Sequence, residues 1–182
     1  KKYSNNWYFT FSYSNSIAQE KDPRKDYDGF FPRTYDYGQV LTCIGGYKLR
    51  FWEYDWYRKY KKNKLFNILS WIPILPSDIL EISFRYRYLG GRPYTLRNYL
   101  PSRRRWQYID EWNTERYGHY SRLDVMILRR MNFDKFNITT YIDIQNIFNR
   151  NNDWEYLYLP DGTKEMAYQY KQLPIGGITI EF

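Results

Sequence analysis

The feature that most constrains this chain is a two-residue alternation of apolar and polar side chains near its C-terminus. In residues 137–150 and again in residues 173–182, apolar side chains recur at alternate positions. Because successive side chains leave a β-strand on opposite faces, both segments are predicted to be strands with one apolar face. The apolar positions are Ile138, Ile142, Ile144 and Phe148, then Ile178, Ile180 and Phe182; the polar positions of the first strand are Asn137, Thr139, Tyr141, Asp143, Gln145 and Asn149.

A strand with this pattern fits two settings. It can belong to a half-buried antiparallel sheet in water, or to the wall of a membrane barrel with lipid outside and a wet lumen inside. Here the polar face carries Asn, Asp and Gln in the middle of the strand, while the opposite face stays aliphatic. The barrel wall is therefore the favoured interpretation.

Four further segments alternate in the same way, so the chain is predicted to be all-β and antiparallel, with about six long strands. The clearest is residues 80–88, where apolar side chains alternate with Glu81, Ser83, Arg85 and Arg87. Burying these charges inside a water-soluble sheet would carry a large desolvation cost, whereas a wet lumen would not. The predicted strands cover residues 7–14, 37–51, 80–88, 120–127, 137–150 and 173–182.

The connections between these strands are predicted to alternate in length. The long ones all fall at one end, the outer side, and a tight turn over residues 133–136 falls at the other; this is the barrel pattern. In the last long connection, Asp161-Gly162 predicts a hairpin turn between residues 154–159 and 164–170. The long connections are residues 20–34, 93–118 and 150–172.

Residues 52–77 interrupt the pattern and leave two interpretations open. Five basic residues precede the apolar run Leu65–Ile72, and Pro73 and Pro76 close the segment. The first interpretation is a short basic helix followed by an apolar anchor at a membrane surface. The second is a long hairpin connection with a solvated run of charge.

Four motifs, in order along residues 90–182, resemble the C-terminal end of a TonB-dependent outer-membrane receptor. Gly90-Gly-Arg-Pro-Tyr-Thr95 is similar to the SGRPYT turn of that family. The other motifs are Tyr120-Ser-Arg-Leu-Asp-Val125, Asp143-Ile-Gln-Asn-Ile-Phe-Asn-Arg150 and the terminal Ile-Glu-Phe182. In that family the connection over residues 52–77 is usually a short periplasmic turn, so this chain departs from the pattern there.

The resemblance implies energised uptake of a scarce nutrient, such as an iron chelate, a vitamin or an oligosaccharide, across the outer membrane of a Gram-negative bacterium. Six strands cannot close a useful barrel, since about eight is the smallest size, and the resembled receptors have plugged barrels of about 22 strands. Residues 1–182 would then be the C-terminal part of the barrel. The signal peptide, the plug domain and the contact with TonB would lie upstream of Lys1. The alternatives are a small self-contained outer-membrane barrel of about eight strands and a soluble aromatic-rich β-sandwich binding module.

Three groups of residues are assigned roles on this interpretation. The first lines the lumen, the second contacts a small-molecule or oligosaccharide ligand from the outer loops, and the third is the signal recognised by the outer-membrane barrel assembly machinery. Loop arginines could also bind lipopolysaccharide phosphates. The predicted lumen residues are Arg85, Arg87, Asp124, Tyr141, Asp143 and Gln145. The predicted ligand contacts of the outer loops are Arg97, Tyr99 and Trp106. The predicted assembly signal is Ile178, Ile180 and Phe182.

Other function classes find less support in the sequence. With one cysteine, Cys43, and one histidine, His119, the chain has no disulfide framework, and no cofactor or metal is predicted. No carboxylate lies at a recognisable spacing from a base or nucleophile, so no enzymatic activity is predicted. The net charge of +8 and the arginines of residues 92–105 would suit nucleic acid, but no nucleic-acid-binding motif accompanies them.

Overall fold

The structure, a computed structural model, describes residues 5–23, 29–69, 76–109 and 111–182. The two helices lie within residues 52–77, the segment for which the sequence leaves two interpretations open. The elements are β1 (Trp7–Asn15), β2 (Gln19–Glu20), β3 (Phe31–Pro32), β4 (Gln39–Arg50), α1 (Asp55–Lys61), α2 (Lys64–Leu69), β5 (Ile79–Leu89), β6 (Pro93–Tyr94), β7 (Arg97–Leu100), β8 (Arg105–Tyr108), β9 (Glu115–Arg116), β10 (Tyr120–Asn132), β11 (Asn137–Gln145), β12 (Asp153–Tyr158), β13 (Lys164–Tyr168) and β14 (Leu173–Glu181).

The main body is one six-stranded antiparallel sheet in the order β1-β4-β5-β10-β11-β14. Each long strand pairs with the long strand before and after it in the chain, which confirms the prediction of six long antiparallel strands. Among the described residues, β1 and β14 are the two edges and do not pair with each other. Over the part of the chain that the structure describes, the sheet is therefore open and does not close into a barrel.

The register places mainly apolar side chains on one face and most of the charged side chains on the other, with Arg129 as a charged exception on the apolar face. Val125 lies opposite Phe84 on one side and Ile144 on the other, so all three share a face. Asp124 lies opposite Arg85 and belongs to the other face. Because facing residues of an antiparallel pair project to the same side, the alternation predicted from single strands continues across the whole sheet.

The apolar face is exposed. Trp7 on β1 is 56% exposed and Ile178 on β14 is 72% exposed, and the strands between them also present large apolar side chains. Among the described residues, the buried hydrophobic side chains are three: Phe31, Tyr57 and Met131. The sheet therefore has no apolar layer packed over most of this face.

The end of β11 differs from the prediction. The alternation suggested a strand that includes Phe148, but β11 stops at Gln145 and Phe148 is exposed in a turn. The reason is Asn146, which adopts a left-handed backbone with φ of 52° and bonds to the backbone N–H and C=O of Arg150. Similarly, β14 ends at Glu181, one residue before Phe182.

Residues 51–69 are helical and fold against one end of the sheet. Tyr57 of α1 is 2% exposed, and Lys61 donates hydrogen bonds to Asp78 (2.5 Å) and to the backbone oxygen of Asn132 (2.9 Å). The predicted apolar anchor continues through Ile72, but residues 70–75 lie outside the described residues, as do residues 24–28 and 110 of the long loops. In the described part of the chain, neither helix is long and apolar enough to span a membrane.

Candidate functional site

The three long connections lie at the same end of the sheet. The chain passes through residues 16–38, 90–119 and 146–172 between successive strands, and the strand directions bring all three to one side. The turn over residues 133–136 and the helical segment lie at the opposite end. The prediction that these three long connections share one end is therefore confirmed, although the opposite end carries the long helical connection as well as the tight turn. The end with the three loops carries one of the two candidate sites.

Two small hairpins pack against each other within these loops. The first is formed by β7 and β8 and the second by β12 and β13. The indole N–H of Trp106 donates to the backbone oxygen of Leu159 (2.8 Å), and the Tyr99 hydroxyl donates to that of Pro160 (2.6 Å). Two of the predicted ligand contacts, Tyr99 and Trp106, therefore hold one hairpin against the other.

The turn of the second hairpin confirms the Asp161-Gly162 prediction. Gly162 has a φ of +91°, a backbone conformation that residues other than glycine rarely adopt. A Cβ at this position would also lie 2.7 Å from the ring of Tyr99. Both the backbone conformation and the packing against the first hairpin therefore require glycine.

Arg97, the third predicted loop residue, lies between two aromatic rings. Its guanidinium carbon is 4.4 Å from the ring centroid of Tyr108 and 4.5 Å from that of Tyr158. It also donates to the Tyr108 hydroxyl (2.7 Å). Burial raises the pKa of Tyr158, so that hydroxyl stays neutral at physiological pH. The Arg97 guanidinium therefore forms part of an otherwise aromatic wall.

A second stack of cations and rings lies nearby. The Lys164 ammonium is 3.5 Å from the ring centroid of Tyr156 and 5.6 Å from that of Tyr94. Burial is also the main cause that raises the pKa of Tyr94. Such cation–π contacts hold the charge close to a surface that can also stack on a ligand.

These two stacks border an open pocket of about 530 Å³. Its lining combines aromatic rings, the Arg97 guanidinium and the carboxylates of Glu20 and Glu155. The sequence predicts Arg97 as a ligand contact, but Tyr156 and Tyr158 were not predicted. Their alternation along β12 was a usable signal, because residues two apart on a strand share a face.

The first and second long loops are tied together by a buried carboxylate. Arg116 forms an ion pair with Asp36 (2.6 Å) and also donates to its backbone oxygen (2.5 Å). Burial alone would raise the pKa of Asp36, but the hydrogen bonds from Arg116 and from the backbone N–H of Ala18 lower it. The amide of Asn113 makes a second tie, to the backbone oxygen of Pro32 (2.7 Å). The loops therefore form one cross-linked body above the sheet.

The second candidate site is the polar face of the sheet, centred on Asp124. Asp124 is 5% exposed as a whole residue, and its carboxylate accepts hydrogen bonds from Arg122 Nε (2.5 Å) and the backbone N–H of Asn146 (2.9 Å). Arg87 approaches its other oxygen at 4.0 Å. The carboxylate therefore links the middle of the sheet to the turn after β11.

All six predicted lumen residues lie on this polar face. Three of them, Arg85, Asp124 and Asp143, border one cavity of about 140 Å³. Gln145 donates to Asp143 (3.3 Å), and the Tyr141 ring covers Gly177, where a Cβ would lie 2.6 Å away. Arg87 lies towards the loop end and borders a different pocket. The structure therefore places three of the six residues together and three around them.

The third predicted group lies at the edge of the sheet. Ile178 and Ile180 face Thr140 and Ile138 of β11, so they share its apolar side. The Phe182 ring lies beyond the strand end, 6.5 Å from the ring of Phe136. Since β14 has a strand on one side, its other backbone edge is open among the described residues.

Comparison with known proteins adds no constraint. No protein-family model, curated protein or solved structure matches this chain. The two faces of the sheet and the loops at one end are therefore the features that bear on its function.

Proposed function

We propose that this chain forms part of the wall and the extracellular loops of a TonB-dependent outer-membrane receptor, a transporter for a scarce nutrient in a Gram-negative bacterium. The observation that carries the proposal is the continuous apolar face of the six-stranded sheet, which is exposed to its surroundings. The four motifs along residues 90–182 support the same family.

The strand lengths and the exposed apolar side chains of this face suit a contact with lipid. Soluble proteins rarely expose contiguous apolar patches larger than a few hundred Å². The six strands are 9 to 13 residues long, and a membrane-spanning strand needs about 9–11. Trp7 and Tyr47 lie towards one end of this face and Tyr13 and Tyr88 towards the other, as in the aromatic girdles of membrane barrels.

The opposite face has the composition of a wet lumen. Its ion pairs and hydrogen bonds link strands across this face: Glu81 of β5 accepts from Tyr8 of β1 (3.0 Å), across β4, and lies 3.9 Å from Lys48 of β4. Arg130 pairs with Glu181 (3.0 Å) across the other half of the sheet. Charged groups on one face and apolar groups on the other favour a wall with water on one side and lipid on the other.

The loop body supplies a place for a ligand. The pocket of about 530 Å³ is of the size that small-molecule sites have, and its aromatic rings and charged groups suit an amphipathic nutrient. The open edges of β1 and β14 support a larger barrel, because further strands would pair with both.

The test is the mass of the intact protein in cells that make it. An antibody against residues 150–172 would detect it in purified outer-membrane, inner-membrane and soluble fractions. We expect an outer-membrane band several times heavier than the 22.6 kDa of this chain. A membrane band near 22.6 kDa would instead indicate a small self-closing barrel. A signal confined to the soluble fraction would refute both.

A further inference from the structure

The helical segment over residues 51–66 is not accounted for by a barrel wall. It follows β4 directly and begins with Phe51. It lies at the end of the sheet opposite the long loops. In this stretch five basic residues stand against two acidic ones, and seven residues are aromatic.

The segment is fixed to the sheet by a buried polar cluster. Asp78, which precedes β5, is 1% exposed and accepts a hydrogen bond from the backbone N–H of Asn132 (2.6 Å) as well as the one from Lys61. Burial and the neighbouring Asp78 raise the pKa of Tyr57, whose hydroxyl bonds to that carboxylate. The helices therefore have a defined position against the ends of β5 and β10.

Outside this anchor, the aromatic side chains face outward. The Phe51 ring contacts those of Tyr57 and Trp56, at centroid distances of 6.0 and 5.9 Å, and Trp56 contacts Tyr60 at 6.4 Å. Four of the rings are 45% to 58% exposed: Trp52, Tyr54, Trp56 and Tyr60. Tryptophan and tyrosine have an apolar body and a polar tip, so a cluster of them favours the boundary between lipid and water.

The exposed charges of the segment are mainly basic. Both acidic residues are engaged within the segment or beside it, Glu53 with Arg50 (3.3 Å) and Asp55 with Arg58. Among the ion pairs of the described residues, none involves Lys59, Lys62 or Lys64. Three exposed lysines beside exposed aromatic rings are complementary to a negatively charged membrane surface.

We infer that residues 51–66 form an interfacial element that binds the headgroups of anionic phospholipids. The rings lie at the level of the headgroups, and Lys59, Lys62 and Lys64 contact their phosphates. The inference rests on the proposed function, which supplies the membrane. If the long loops point outward from the cell, this segment meets the periplasmic leaflet of the outer membrane. It assigns the one connection that departs from the resembled family.

The experiment measures lipid binding to the full chain in detergent. Dioctanoyl phosphatidylglycerol and dioctanoyl phosphatidylcholine are titrated separately, and bound lipid is counted by native mass spectrometry. One variant carries Lys59→Gln, Lys62→Gln and Lys64→Gln. The matched control carries Arg103→Gln, Arg104→Gln and Arg105→Gln, which removes the same charge from an exposed turn at the other end of the sheet.

The wild type and the arginine variant are expected to prefer phosphatidylglycerol, and the lysine variant is expected to lose about tenfold or more of that affinity. Equal binding of both lipids by the wild type would overturn the inference, as would a loss seen in the arginine variant but not in the lysine variant. Displacement of the lipid by 10-fold excess inorganic phosphate would also overturn it, since a free anion would then be the ligand.

A vesicle experiment separates this inference from the proposed function. The chain is mixed with vesicles of phosphatidylcholine, with or without about one quarter phosphatidylglycerol, and then floated and washed with carbonate. Carbonate-resistant insertion without a lysine-dependent preference would leave the proposed function standing and refute the inference. Carbonate-sensitive binding that depends on phosphatidylglycerol and on the three lysines would support the inference and refute the membrane wall.

Discussion

Removing the carboxylate of Asp124 is expected to destabilise the sheet far more than removing a neighbouring carboxylate on the same face. Asp124 accepts two short hydrogen bonds, from Arg122 Nε (2.5 Å) and from the backbone N–H of Asn146 (2.9 Å). Its side chain is 7% exposed and that of Arg122 is 21% exposed. An alanine at this position would leave a partly buried guanidinium and a buried N–H without their acceptor.

The size of the effect follows from these contacts. A hydrogen bond to a charged group contributes about 1.5–3 kcal/mol, and breaking a buried ion pair costs about 3–5 kcal/mol. The ion pair with Arg87 adds little to this effect, because its guanidinium is 4.0 Å from the Asp124 carboxylate and its side chain is 41% exposed. We therefore expect Asp124→Ala to lower the free energy of unfolding by about 3 kcal/mol. Asp124→Asn should lower it by about 2 kcal/mol, because an amide oxygen can still accept from Asn146.

The measurement is thermal unfolding of the purified chain in detergent. For a protein of this length, 1 kcal/mol corresponds to about 2–4 °C, so Asp124→Ala should lower the Tm by about 6–12 °C. The control is Asp143→Asn, which keeps an acceptor for Gln145 at 3.3 Å and should cost less than about 1 kcal/mol. Similar small losses for Asp124→Ala and Asp143→Asn would refute the argument that Asp124 holds the turn and the sheet together.

Three further changes test other parts of the structure. Phe182→Ser should reduce incorporation into the outer membrane, measured by fractionation, and unchanged levels would count against an assembly role. Gly162→Ala should lower the free energy of unfolding by about 1–2 kcal/mol because of its left-handed backbone, and by a further amount because the new Cβ clashes with a neighbouring tyrosine ring. Gly38→Ala is the control, since it should lose the backbone contribution alone. Equal Tm shifts for the two variants would exclude the clash. The pKa of Asp36 is lowered in the folded state, so its carboxylate should contribute stability that is present above about pH 4 and is lost as the pH falls through the folded pKa. The measurement is Tm against pH, and Arg116→Gln should make this pH dependence smaller.

The sheet was predictable because its signal is periodic and local. Apolar side chains at every second residue indicate a strand and also assign its face, so the register of β10 with β5 and β11 follows the predicted faces. The end of β11 was not predictable in this way. Asn146 stops the strand through its own side-chain hydrogen bonds, and those depend on where Arg150 returns in space.

The loop site was less accessible for a related reason. Arg97 was identified as a loop residue, but its partners Tyr108 and Tyr158 lie on two different hairpins. The hydrogen bonds from Tyr99 and Trp106 to the backbone of the other hairpin were not predicted, and their assignment as ligand contacts stays a prediction. Contacts between loops leave no periodic pattern in the sequence. The sequence therefore shows which residue types the loops contain, but it does not predict which of them contact each other.

The connectivity of the sheet has a consequence for how it is built. Each of the six long strands is bonded to its neighbours in the chain, so no strand has to be inserted between two that are already paired. The sheet can therefore grow one hairpin at a time, and every intermediate keeps a free edge to which the next strand is added. Each step joins a long strand to the long strand just before it in the chain, so it closes only the connection between those two strands, and the tight turn over residues 133–136 makes the joining of β10 and β11 the step with the shortest loop to close.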